Sequence, residues 1–141
     1  MFTRIVIAVH DTAADAAALR VTAELARTNA AAVRVVHVDT SEVVGIAVIE
    51  LEDDGAARGV LGEALSILAD EGILAEGQLL DALVDDVPAV IAQSAEQFGA
   101  DLVVLAPRHR GAVAAWLAPR VTDAVAHLLK RPILLVPADA A

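Results

Sequence analysis

Short blocks of continuous apolar residues alternate along this chain with longer stretches whose apolar positions recur at helical spacing. The first block, Arg4-Ile5-Val6-Ile7-Ala8-Val9, is β-branched and predicts a buried strand. Residues 12–28 are Ala-rich and predict a helix with Ala18, Leu19, Thr22, Leu25 and Ala26 on one face and Thr12 as N-cap. Residues 32–38 predict the second buried strand. Residues 56–71 predict the second helix, with Val60, Leu61, Ala64, Leu65 and Leu68 at helical spacing and Gly72 as its stop. Residues 74–82 read as the third strand. Asp85 or Asp86 caps a third helix with Pro88 in its first turn; Ile91, Ala95 and Phe98 face inward, and Gly99 ends it. A fourth strand at Leu102-Val103-Val104-Leu105, a fourth helix over about residues 119–129 and a last strand at residues 132–137 complete the chain. Residues 39–55 are the least regular. Their centre, residues 43–49, is rich in β-formers but flanked by acids, and the segment reads as a long, partly ordered connection.

Apolar strands alternating with amphipathic helices imply an α/β fold, a five-stranded parallel doubly wound sheet with helices on both faces and right-handed crossovers. The 141 residues suffice for a single domain, residues 1–141. In such a sheet, ligands bind beyond the carboxyl ends of the strands. The residues expected there are His10-Asp11-Thr12, Val38-Asp39-Thr40-Ser41, residues 81–86 and residues 106–111.

Charge sharpens this picture. The net charge is −10. From Asp39 to Asp101 there are fifteen acids and one base, Arg58. From Ala106 to Arg131 there are five bases, Arg108, Arg110, Arg120, Lys130 and Arg131, and one acid, Asp123. The overall field repels nucleic acid and anionic membranes, while the segment after the fourth strand attracts a small anion. No apolar run is long enough to span a bilayer, and no basic segment followed by an apolar core precedes the first strand. Together with the absence of cysteine, which removes disulfides and thiolate chemistry, this predicts a cytoplasmic protein.

Catalytic constellations are not evident. Ser41, Ser66 and Ser94 are the serines, and none sits in a Gly-x-Ser-x-Gly elbow. No Gly-x-x-x-x-Gly-Lys loop occurs. His10, Asp11, Asp39 and His109 bring imidazoles and carboxylates toward the strand ends, but their spacing matches no metal motif and no metal site is assigned. His37, inside a strand, reads as a hydrogen-bonded core or rim histidine. Trp116 reads as an apolar anchor.

In order and spacing, several pieces resemble the universal stress protein family, whose fold is that of the adenine-nucleotide α-hydrolase group. His37-Val38 closes the second strand as a His-Val pair commonly does there. Ala100-Asp101-Leu102-Val103-Val104 matches the entry to the fourth strand, and Arg131-Pro132-Ile133-Leu134-Leu135-Val136 matches the closing strand. The resemblance implies strand order 3-2-1-4-5, a homodimer through Ile133, Leu134, Leu135 and Val136, and an ATP site. The family's nucleotide signature, Gly-x-x-Gly-x9-Gly-Ser/Thr, places its glycines at Ala106, His109 and Pro119 and its hydroxyl at Arg120, and none matches. Glycines serve that motif because backbone N–H groups must approach phosphate oxygens closely. The adenosine-contacting Asp at the end of the first strand is His10 here.

These mismatches predict a regulatory or stress-response binding module, not an enzyme, with a degenerate nucleotide site and no certain cofactor. The candidate cleft is His10, Asp11, Thr12, Val38, Asp39, Ala106, Arg108, His109, Arg110 and Arg120. One alternative is a nucleotide-binding member, taking ATP or another adenine nucleotide, in which Arg108-His109-Arg110 holds the phosphates through side chains. Another is a cytosolic regulatory partner of a transporter. The partners expected are a second copy of the chain, a small anionic ligand and an unnamed protein.

Overall fold

The computed structural model describes residues 1–107 and 119–137. In chain order the elements are β1 (Arg4–Ala8), α1 (Ala16–Asn29), β2 (Ala32–Val44), β3 (Ala47–Glu50), α2 (Asp54–Asp70), β4 (Glu76–Leu83), a short 3-10 turn (Val84–Asp86), α3 (Val87–Phe98), β5 (Leu102–Leu105), α4 (Pro119–Leu129) and β6 (Ile133–Leu135). Parallel pairings join β4 to β2, β2 to β1, β1 to β5 and β5 to β6.

The five parallel strands therefore run in the expected sequence. The expectation of five strands is corrected to six, because β3 adds an antiparallel strand to β2. Residues 39–55 are not a loose connection. β2 continues to Val44, turns through Gly45 and Ile46, and returns as β3 in the register Ser41 to Glu50, Glu42 to Ile49, Val43 to Val48 and Val44 to Ala47. Gly45 has φ +63°, a value that a side chain at the first position of this two-residue turn would strain. The period of two is hidden in the sequence because apolar residues occupy both faces of this hairpin.

Burial on both sides explains the unbroken apolar strands. Ile5, Ile7 and Val9 of the β1 segment pack with Val33, Val35, Leu102 and Val104 against Leu19 of α1 and Ala64 and Leu68 of α2. The alternate residues Val6 and Ala8 pack with Val36, Val38, Val103 and Leu105 against Ile91, Ala95 and Phe98 of α3 and Val125 and Leu129 of α4. Helix ends follow local chemistry. Asp53 caps α2 by accepting the Ala56 N–H at 2.7 Å, and Gly99, with φ +73°, closes α3. α1 begins three residues later than an N-cap at Thr12 would have set it, because residues 10–15 form a turn of their own around Asp15.

The amino end of the sheet is clipped by Asp101. Its Oδ2 accepts from Thr3 N at 2.8 Å and from Thr3 Oγ1 at 2.9 Å, and its Oδ1 accepts from Arg4 N at 3.0 Å. Desolvation pushes this carboxyl up, but the combined hydrogen bonds outweigh it and hold it below the ordinary value. Its contribution is thus present above the carboxylate range and lost as pH falls through the lowered value. Asp101→Asn is expected to destabilise the protein by about 1–3 kcal/mol at neutral pH. The difference from wild type should shrink toward zero in strongly acidic buffer, as read by denaturant melts.

Candidate functional site

At the carboxyl end of β1 the chain leaves the sheet through Val9, whose N–H still donates to Val36 O at 2.9 Å. The next two amides are captured by a residue the sequence pattern did not single out. Asp15, fully buried, accepts from His10 N at 2.7 Å and from Asp11 N at 3.0 Å through Oδ2. Asp11 Oδ1 in turn accepts from Ala13 N at 3.0 Å. The one available signal was an acid at the start of an Ala-rich helix, a position that also reads as an ordinary cap. The amides that would meet a ligand at the end of β1 therefore already serve an internal carboxylate.

β2 extends well past β1. Ser41 pairs with Leu83 of β4 and also with Glu50 of β3. A strand has two edges, so β3 lies on the edge that β1 occupies further back, beyond the carboxyl end of β1. The chain after β3 then returns to the sheet. His37, fully buried, sits with Nδ1 2.7 Å from Val9 O and Nε2 2.7 Å from Glu52 Oε1. A carbonyl oxygen only accepts, so Nδ1 carries a proton, and a second proton lies between Nε2 and the Glu52 carboxyl. His10 stands beside this pair, its ring centroid 6.2 Å from that of His37.

Carboxylates crowd the same end. Asp39 follows His37 on the α1–α2 face of β2, is 4% exposed and stands in register with Asp81 of β4. Its carboxyl is pushed up to about 6 from an ordinary 3.8, first by burial, then by a hydrogen bond with the Asp54 carboxyl, and then by the charges of Glu52, Asp54 and Asp81.

Of the expected cleft residues, His10 is half-buried and Asp11 exposed, while Thr12, Val38, Asp39 and Ala106 are buried. Val38 packs into the core beneath α3. The structure brings His10 next to His37, whose ring meets Glu52, and Asp39 next to Asp54. Arg108, His109 and Arg110 lie outside the described residues, as do Trp116 and the side chain of Arg120. Among the described residues no group of three or more His, Asp or Glu could hold a metal ion. A cavity of 430 Å³ between α3 and α4 and one of 560 Å³ beside Phe2, Leu129 and Pro132 are lined by none of the expected cleft residues.

A five-strand parallel core with helices on both faces defines a doubly wound α/β protein. The model of the Universal stress protein family matches residues 1–137, and the chain belongs to that family. Among solved structures, it is similar to a universal stress protein from Archaeoglobus fulgidus, at 26% identity over 96% of this chain and 98% of that one, with a TM-score of 0.70. An Archaeoglobus fulgidus universal stress protein solved in complex with dAMP is 26% identical over 94% of this chain and 96% of that one, with a TM-score of 0.67. A Burkholderia pseudomallei protein of the family shares the fold at 20% identity, covering 96% of each chain, with a TM-score of 0.70. A search of curated proteins returns no significant match.

The raised Asp39 carboxyl makes the protonated form the one the fold prefers. Its stabilising contribution is complete below the unfolded value and is lost as pH rises through about 6. Asp39→Asn removes that loss, which is on the order of 2–3 kcal/mol. The variant should melt at a higher temperature than wild type at pH 7.5 and at nearly the same temperature at pH 4, as read by calorimetry.

Proposed function

We propose that this chain is a regulatory binding module of the stress family whose nucleotide site is degenerate, so that it does not take ATP by the family's backbone cradle and acts by binding instead of by catalysis. The observation that carries this reading is the occupied end of β1. Asp15 holds the His10 and Asp11 amides, and the Glu52–His37 pair ties the segment after β3 to Val9 O. The buried carboxyl of Asp39 and the exposed carboxyl of Asp54 beside it add negative potential where a nucleotide would sit. The absence of glycine at Ala106, His109 and Pro119 supports the same conclusion.

The dAMP complex of the Archaeoglobus fulgidus protein motivates the competing reading, a nucleotide held through cationic side chains. The cluster Arg108-His109-Arg110, with Arg120, is the feature that favours it. Calorimetry with Mg-ATP separates the two. No saturable binding at micromolar concentration is expected. Low-micromolar affinity would overturn the degenerate-site reading, and Arg108→Ala should then weaken binding by about 1.5–3 kcal/mol.

Assembly through β6 is part of the proposal. Val103 N donates to Pro132 O at 3.1 Å and Val136 N donates to Leu105 O at 2.9 Å. In a parallel ladder the bonding residues alternate, so Leu134 directs its backbone groups to β5 while Ile133 and Leu135 direct theirs to the open edge. Leu135 is also the exposed side chain of this strand. A symmetry mate pairing antiparallel at this edge would satisfy both chains at once. Leu135→Pro removes an outward donor and should shift sedimentation from dimer to monomer; a wild type that already sediments as a monomer at micromolar concentration refutes the assembly.

A further inference from the structure

The β2–β3 hairpin carries more exposed apolar surface than its role over β1 requires. Val43, Val44, Val48 and Leu51 are each more than half exposed, Ile49 is 46% exposed, and Ile46 at the tip is fully exposed. Opposite residues of a hairpin share a face. Val43 and Val48 therefore lie on one face, and Val44, Ala47 and Ile49 on the other. Apolar side chains on both faces of a projecting hairpin have no counterpart in a surface that only needs to be wetted.

The outer edge of β3 is open as well. Leu51 N donates to Thr40 O at 3.0 Å, which sets the phase of the antiparallel ladder. Bonded and non-bonded pairs alternate, so Glu42–Ile49 and Val44–Ala47 are the bonded pairs, while Ser41–Glu50 and Val43–Val48 are not. Val48 and Glu50 consequently point their N–H and C=O groups away from β2. Among the described residues no strand pairs with that edge, and all of β3 is exposed. An open edge beside apolar side chains is a template for strand addition.

Charge selects the occupant. Residues 39–54 carry Asp39, Glu42, Glu50, Glu52, Asp53 and Asp54 and no base. Glu42 lies on one hairpin face and Glu50 on the other. A second copy, itself at −10, would set like charges against one another at this edge. We propose that the β3 edge is a docking site for an extended partner segment that combines apolar and basic residues, adding as a strand beside Val48 and Glu50, with its Lys or Arg side chains meeting Glu42 and Glu50. This deepens the binding-module reading and rests on it only for the kind of function. The Mg-ATP measurement probes a different surface, and either result there leaves this one standing.

The test uses the full chain and a capped eight-residue peptide, Val-Val-Lys-Lys-Val-Val-Lys-Lys, which as a strand sets valine and lysine on both faces. Amide chemical shifts report saturable binding, with the largest changes expected at Val48, Ile49 and Glu50. Val48→Pro removes an outward donor without touching the β2–β3 ladder and is expected to weaken binding at least tenfold. Methylating alternate amides of the peptide should do the same, as should Glu42→Gln with Glu50→Gln, which leaves the apolar surface intact. A valine–glutamate peptide should not bind. The proposal is overturned if the methylated peptide binds as well as the parent, if the valine–glutamate peptide binds equally, or if a folded Val48→Pro protein keeps full affinity. It is also overturned if Val48→Pro alone converts a self-associating wild type to a smaller species, which would make the occupant a second copy.

Discussion

A parallel sheet buried on both faces must satisfy the backbone groups it releases where its central strand ends, and much of this structure follows from how that need is met. β1 stops at Ala8 while β2 runs on to Val44. Val9 O, His10 N and Asp11 N lie beyond the last paired residue of β1. An unpaired group in that dry position costs on the order of 1–3 kcal/mol, so each must find a partner. Here the partners are internal. His37 serves Val9 O, and one carboxylate, Asp15, serves both amides. The late start of α1, the return of the chain after β3 and the position of Glu52 are consequences of those bonds.

Meeting that need with acids has an electrostatic consequence. Glu52 bonds His37, but the charges of Glu52, Asp54 and Asp81 all act to raise Asp39. Burial and mutual repulsion then favour protonation over ionisation, which ties this end of the molecule to pH. A field of that sign also bears on ligand choice. It opposes an anion close to this end of β2, whereas five of the ten basic residues lie in the later part of the chain, from Arg108 to Arg131. On the proposed reading, the family's fold is kept while the chemistry at its customary ligand position is changed, as expected where fold and function are set by different residues.

Two of the sheet's edges are unlike. β6 is short and apolar and carries no charge, which suits pairing with an identical strand. β3 is apolar but framed by glutamates, which discourages an identical strand and suits a basic one. Charged residues on an edge act as a filter on what pairs there, not only as a guard against aggregation.

The order of strands and helices, their approximate bounds and their inward faces were legible in the sequence, because burial on two sides writes unbroken apolar runs into strands and a helical period into their crossovers. The replaced glycines of the nucleotide signature were legible too, since they are a property of residue identity alone. The hairpin was not, because apolar residues on both of its faces erase the alternation that marks a strand. Asp15 was not, because its partners are amides four and five residues back, in a turn that no period predicts. The His37–Glu52 contact and the Asp39–Asp54 pair join residues fifteen apart, and only the return of the chain after β3 brings them together. Sequence periodicity reports which side of an element faces the core; which polar groups meet at the end of the sheet depends on where loops return, and only the tertiary structure decides that.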